Sequence, residues 1–131
     1  MDWNTARQLI VQRVVVGTDL NRPGSTYRRV LEADACLSTP RFSYQGERGF
    51  RVSIGQSHSI EIPWSILKLC YDQLNEPAGY NGDFFRQRFP AQAREHPCHV
   101  HVVGHIFVVA GVAVADENRY FINPACVGAT E

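Results

Sequence analysis

The spacing of apolar residues predicts a helix at the start of the chain. Apolar side chains recur there every three or four positions, at Trp3, Ala6, Ile10 and Val14. Asp2 or Asn4 can cap this helix, and Gly17 can end it. The valines at 14–16 favour a strand instead, because β-branched side chains suit extended backbone.

Four segments that follow have the composition of short strands: Thr26–Leu37, Arg41–Tyr44, Phe50–Ile54 and Ser59–Ile62. The alternation of Phe50, Val52 and Ile54 predicts one buried face. Glycine-containing stretches at 45–49 and 55–57 are typical of hairpin connections. These segments predict a small antiparallel sheet.

The second half has mostly helical patterns. Pro63 suits the first turn of a helix, and an apolar stripe follows it at Leu67, Cys70, Tyr71 and Leu74. After a loop at Glu76–Gly82, Phe85 and Phe89 predict a second helix that Pro90 ends or kinks. Residues 98–110 fit a helix with one apolar face, although their β-branched residues also fit a strand. We favour the helix.

The end of the chain has the pattern of a hairpin, with Val112–Ala115 and Arg119–Ile122 as its strands around 116–118. The run from Val103 to Ala113, an apolar helix that closes with a small residue and glycine, resembles the recognition-helix end of the winged helix-turn-helix family. In that resemblance 116–118 is the wing tip, and the similarity spans 62–122. It implies an α+β fold, with an N-terminal helix and small antiparallel sheet in 1–61 packed against a winged-helix-like lobe in 62–131.

The composition limits the classes of protein to which the chain can belong. The chain has 131 residues, of which 44% are apolar and 20% charged, as expected for one compact domain. Its opening has no secretory signal and no segment approaches a membrane span, so we expect a cytoplasmic protein with reduced cysteines. The formal net charge is zero, yet residues 1–60 carry +3 and residues 61–131 carry −3. The lobe that resembles a DNA-reading module is thus the acidic half, which counts against nucleic-acid binding.

Candidate binding residues nevertheless lie in that half. Arg86, Arg88 and Arg94 alternate with phenylalanines, and such interleaving suits phosphate contact and base stacking. Arg119 lies in the predicted hairpin, and His101 and His105 lie on the predicted reading helix. We therefore expect a small non-enzymatic binding module with nucleic acid as its partner, contacted through these six residues. The basic segment 22–29 is a further candidate for holding an anion.

Two other classes of function stay open. The first is a protein-interaction or self-assembling module, such as a homodimer, because near-zero net charge favours self-association. The second is a metal protein or enzyme that uses His101 and His105, since histidines at i, i+4 on a helix can share a zinc ion. The sequence has no glycine-rich nucleotide loop, serine-elbow or zinc-protease motif. We expect no cofactor, no bound metal and no membrane contact.

Overall fold

The computed structural model of the chain describes residues 1–20, 27–38, 42, 44 and 46–125. In these ranges the helices are α1 (Trp3–Arg13), α2 (Trp64–Leu74), α3 (Gly82–Arg88), α4 (Pro90–Glu95) and α5 (His99–Val109). The strands are β1 (Val30–Cys36), β2 (Arg48–Ser53), β3 (Ser59–Pro63), β4 (Ala113–Asp116) and β5 (Arg119–Ile122). The α+β fold class and the N-terminal helix with a small sheet are confirmed.

The predicted sheet is antiparallel, with strand order β1-β2-β3. Two irregularities interrupt the pairing of β1 with β2, whereas β2 and β3 pair without a break from Gly49↔Pro63 to Ser53↔Ser59. The predicted strand Arg41–Tyr44 is wrong at both of its described residues. Phe42 has a positive φ of 60°, which a strand does not allow, and Tyr44 is unpaired with any strand of the described ranges. Arg41, Ser43 and Thr26 lie outside the described residues.

The first helix forms as its apolar spacing predicts. The Asp2 side chain caps it by accepting a hydrogen bond from the Thr5 backbone N–H at 2.8 Å. Ala6 and Ile10 are buried on one face. At the other end of the helix, Arg13 donates a hydrogen bond of 2.8 Å to the Ala110 carbonyl at the end of α5. Cationic groups are favourable at a helix C-terminus, so this contact ties the two helices together.

Strand β3 leads directly into α2, and Pro63 is the residue at the junction. The boundary predicted between residues 61 and 62 therefore falls inside β3. Helix α2 buries the predicted stripe of Leu67, Cys70, Tyr71 and Leu74. Pro90 follows the end of α3 as predicted, and it also begins a further helix, α4, that the sequence did not predict. Proline costs little at the first position of a helix, which is why the chain can restart there.

Residues 99–109 form a helix, which decides between the two alternatives for 98–110. Helix α5 packs against α1, α3, α4 and β4. A helix buried on most sides can be uniformly apolar, so the β-branched residues are accommodated by tertiary packing. Gly111, with φ of 78°, ends the helix and turns the chain into the β4–β5 hairpin.

One hydrophobic core joins α1, the sheet, α2, α5 and the hairpin. Among the residues that the structure describes, no helix is long and apolar enough to cross a membrane.

The closest approach in this core is between Gly104 of α5 and the ring of Tyr120 of β5. A Cβ built on Gly104 would lie 2.3 Å from the ring. Both residues are buried, and the Tyr120 hydroxyl lies 3.0 Å from His101 Nδ1, so the ring has little room to move. Glycine at 104 is therefore required for the hairpin to pack this closely on α5.

We predict that Gly104→Ala lowers the free energy of unfolding by roughly 1–3 kcal/mol, because overpacking in a close-packed core displaces side chains. Alanine favours helices over glycine by only about 1 kcal/mol, so the clash outweighs that gain. Urea unfolding monitored by circular dichroism measures the effect. Gly55→Ala is the matched control, because a Cβ there meets nothing within 4 Å. An unchanged or raised stability of Gly104→Ala would contradict the packing argument.

Candidate functional site

A cleft of about 620 Å³ opens beside the start of α3, the residues that precede α5 and the turn of the β4–β5 hairpin. Guanidinium groups from three separate segments line it: Arg28 before β1, Arg86 in α3 and Arg119 in β5. We call it the arginine cleft. Cys98 and His101 also line it. Three of the six residues predicted to bind nucleic acid, Arg86, Arg119 and His101, are thus brought together.

Local structure holds Arg86 over the beginning of its own helix. Asn81 caps α3, its side chain accepting a hydrogen bond of 3.0 Å from the Phe84 N–H. Gly82 follows, and a Cβ there would lie 2.7 Å from Arg86 Nη1. The guanidinium therefore occupies space that a larger residue at 82 would need.

Arg119 is positioned by the hairpin. It pairs with Asp116 across the β4–β5 ladder, and its Nη1 donates a hydrogen bond of 3.1 Å to the Ala78 carbonyl. Arginine carries five N–H donors, so one bond to a carbonyl leaves most of the group available to a ligand. Arg119 is exposed, as its position at the rim of the cleft requires.

The charge balance of the cleft is positive. Asp83 is the sole acidic residue among its described lining residues, and it forms an ion pair of 2.7 Å with Arg86. Both partners are well exposed, so water screens this pair and it contributes little energy. A phosphate can compete for Arg86 because it offers three oxygens where Asp83 offers one contact. The geometry therefore suits an anionic ligand.

Cys98 and His101 differ in how the fold holds them beside the cleft. Burial raises the pKa of the Cys98 thiol, and the nearby charge of Arg28 only partly offsets this, so the thiol is protonated near neutral pH. His101 Nδ1 lies 3.0 Å from the Tyr120 hydroxyl.

The other three predicted residues lie elsewhere. Arg88 at the end of α3 and Arg94 in α4 are exposed and do not line the cleft. His105 is half-buried, and its Nδ1 lies 2.9 Å from the Leu20 carbonyl. Because that bond holds α5 against the segment after α1, His105 has a structural contact where the sequence predicted a ligand contact.

A second cavity, of about 360 Å³, lies between the sheet and the start of α5. Three of the five histidines of the chain line it, namely His58, His96 and His99. We call it the histidine cavity. The ring centroids of His58 and His96 are 6.3 Å apart, and those of His96 and His99 are 6.2 Å apart. Phe42 and Tyr44 add two further rings to its lining.

A buried ion pair forms the sheet side of the histidine cavity. Glu61 is only 7% exposed and lies 3.2 Å from Arg51 Nη2. The two residues face each other across β2 and β3, and Glu61 also accepts a hydrogen bond from the Ser38 N–H at 3.2 Å. On its other side, Arg51 Nε lies 3.4 Å from Glu32 without the geometry of a hydrogen bond. Two carboxylates therefore neutralise this guanidinium.

His99 is the most buried of the three histidines, at 2% exposure. Its ring stacks on Phe85 with 5.7 Å between centroids, and its Nδ1 lies 2.7 Å from the His96 carbonyl. Burial lowers the pKa of His99 to about 4. The carbonyl can only accept, so Nδ1 carries the proton of the neutral ring and Nε2 keeps its lone pair.

No group of three or more histidine, cysteine or acidic side chains is arranged to hold a metal ion in the described ranges. The two residues proposed as a zinc pair, His101 and His105, lie with their rings at 6.1 Å and 6.0 Å from the ring of Tyr120. Each has its Nδ1 near an oxygen of the protein, as described above. The described residues bring no third histidine, cysteine or acidic ligand to His101 and His105.

Sequence reasoning anticipated part of the arginine cleft but not the histidine cavity. Arg28 belongs to the basic segment 22–29 that was proposed to hold an anion, although most of that segment lies outside the described residues. The histidine cavity was missed, because His58, Arg51 and Glu61 are far from His96 and His99 along the chain. The opposite charges at 51 and 61 were a usable signal, since cross-strand pairs of opposite charge stabilise antiparallel strands.

We predict that His99 makes the protein less stable in mild acid. An unfolded histidine titrates near 6.5 and His99 titrates at about 4 in the folded state. Between these values the unfolded chain binds a proton that the folded chain does not, so the stability falls as the pH falls from about 6.5 to about 4. Over this whole pH range the free energy of unfolding falls by roughly 3 kcal/mol.

Urea unfolding at several pH values in this window measures the effect. His99→Phe keeps an aromatic ring against Phe85 but cannot titrate, so its stability should depend less steeply on pH than that of the parent. His58→Gln, which removes an exposed histidine, is the control and should keep the parent slope. Equal slopes for the parent and His99→Phe would contradict the assignment.

Comparison of the chain with protein-family models, curated proteins and solved structures gives no match in any of the three. Its function is therefore inferred from its own geometry.

Proposed function

We propose that the chain is a small non-enzymatic binding module that contacts the phosphate backbone of a nucleic acid through the arginine cleft. The supporting observation is the convergence of Arg28, Arg86 and Arg119 from three distant segments on one concave surface. Guanidinium groups from separate segments can meet several phosphate oxygens at once, which a row of arginines on one helix face cannot do.

The order of elements agrees with a winged-helix-like lobe over 62–122. Helices α2, α3, α4 and α5 follow one another, and the β4–β5 hairpin follows α5. The hairpin supplies Arg119 and α5 supplies His101, as the resemblance implies for a wing and a reading helix. Arg88 and Arg94 are exposed but do not line the cleft, and His105 contacts the Leu20 carbonyl through its Nδ1.

The contact that we propose is to the phosphate backbone of the nucleic acid and not to the edges of its bases. Arginine–phosphate contacts position a nucleic acid without reading its sequence, and α5 offers the cleft a histidine but no arginine, lysine, asparagine or glutamine. We therefore expect weak sequence preference and strong dependence on salt concentration.

Fluorescence anisotropy with labelled duplex and single-stranded DNA over a range of salt concentrations tests the proposal. We predict that log Kobs falls linearly with log salt concentration, and that Arg86→Ala and Arg119→Ala each reduce the slope by about one unit. Both side chains are exposed, so these variants should fold normally.

Lys68→Ala is the matched control. It also removes one positive charge, but Lys68 lies on α2, paired with Asp72 and away from the cleft. Absence of binding at the lowest salt concentration would overturn the proposal. So would a loss of affinity in Lys68→Ala equal to that in Arg86→Ala, because binding would then depend on net charge and not on the cleft.

A second candidate function, self-association, is favoured by a separate observation. Val15 and Val16 are exposed at 49% and 66%, and Leu31 in β1 is exposed at 46%. These residues are neighbours in the fold, because the Gly17 N–H donates a hydrogen bond to the Val30 carbonyl at 2.8 Å. β1 is also an outer strand of its sheet, and in the described ranges the backbone hydrogen bonds from residues 17–20 to this edge reach only as far as Val30, so another chain could pair beyond it.

If this apolar surface joins two copies, we predict a mass that rises with concentration in light scattering, and a return to the monomer mass in Val16→Lys. Charged residues at a strand edge or apolar patch oppose association. Val114→Lys is the control, because it places the same charge at a comparably exposed valine on β4. A monomer at all concentrations would exclude this alternative.

A further inference from the structure

The histidine cavity contains a hydrogen-bond acceptor that the fold does not use. His99 donates from Nδ1 to the His96 carbonyl, which leaves the lone pair of Nε2. The ring lines the cavity, and Nε2 is not one of the buried atoms that lack a partner in the described ranges, so this nitrogen reaches the open space of the cavity. A donor placed in the cavity can therefore reach the lone pair of Nε2.

The lining of the cavity suits a flat ring. His58, His96 and His99 present neighbouring rings, and Phe42 and Tyr44 have centroids 5.6 Å apart within the same cavity. Offset stacking and edge-to-face contact stabilise aromatic groups at such spacings. At about 360 Å³, the volume is that of a small-molecule site of modest size.

The charges of the cavity oppose an anionic ligand. Arg51 is the one guanidinium among the described lining residues, and Glu61 and Glu32 lie 3.2 Å and 3.4 Å from it. Glu95, at the end of α4, adds a further carboxylate to the lining. This separates the cavity from the arginine cleft, where the positive charge is in excess.

We propose that the histidine cavity binds an uncharged planar nitrogen heterocycle whose ring N–H donates to Nε2 of His99. This is the chemistry of a nucleobase, either in a free nucleoside or in one unpaired residue of a nucleic-acid strand. The proposal does not depend on the arginine cleft, because none of its residues line both sites.

The test uses ligands that differ by one donor. Uridine and inosine each have a ring N–H, which 3-methyluridine and 1-methylinosine lack. In protein labelled with nitrogen-15 at histidine, uridine or inosine should shift the Nε2 resonance of His99 in the direction of hydrogen-bond acceptance. We expect the methylated nucleosides to bind about tenfold more weakly, the factor that one lost hydrogen bond of about 1.4 kcal/mol produces.

Variants then separate the sources of the ligand. His99→Phe should abolish nucleoside binding. Circular dichroism shows whether this variant folds. If it does not fold, the comparison of methylated with unmethylated nucleosides on the parent protein is the decisive measurement. Arg86→Ala should not change nucleoside binding. If an oligouridylate shifts the same resonance and Arg86→Ala weakens only the oligouridylate, the base belongs to a strand held by the arginine cleft.

Three results would overturn the proposal. The first is no shift with either nucleoside at millimolar concentration. The second is equal affinity for the methylated and unmethylated members of each pair. The third is a response of all three histidines to zinc chloride alone with none to nucleosides, which would make the cavity a metal site. Failure of the salt-dependent DNA assay would leave this proposal standing, because the nucleosides carry no phosphate.

Discussion

The contact between Gly104 and Tyr120 is the constraint on which the second half of the fold depends. A Cβ on Gly104 would lie 2.3 Å from the tyrosine ring, so α5 and the hairpin can meet only where the helix has no side chain. Backbone hydrogen bonds of 2.8 Å and 2.9 Å between Tyr80 and Tyr120 hold β5 in register with the residues before α3. Glycine costs about 1 kcal/mol inside a helix, and the burial of a whole tyrosine ring offsets that cost.

Tyr80 completes this arrangement from the other side. Its hydroxyl donates a hydrogen bond of 2.7 Å to the Val100 carbonyl in the first turn of α5, and burial raises its pKa well above the ordinary value, so the donor stays protonated. Residues of both candidate sites are adjacent in sequence to the residues that make these contacts. Arg119 precedes Tyr120, Asn81 follows Tyr80 as the cap of α3, and α5 begins with His99. The core therefore fixes the surfaces that could bind ligands.

The sequence predicted those elements whose local signals agree with their packing. Gly111 and the turn at 116–118 marked the end of α5 and the hairpin, and both are confirmed because they reflect backbone geometry. Local sequence signals gave the wrong secondary structure where tertiary contacts determine the conformation. Pro90 reads equally as the end of one helix and the start of another, and aromatic residues at 42 and 44 suggested a strand where they instead line a cavity.

Charge summed along the chain was a poor guide to the candidate site, because the fold combines residues from both halves. The acidic total of 61–131 counted against an anion site, yet Asp83 is the sole acid among the described residues that line the arginine cleft. Other acids of that half are engaged elsewhere: Asp72 pairs with Lys68, and Glu61 with Arg51. Arg28 from the basic half joins Arg86 and Arg119. A Debye length near 10 Å at moderate salt means that a ligand responds to this local set and not to the total, so a neutral protein can still present a phosphate-binding surface.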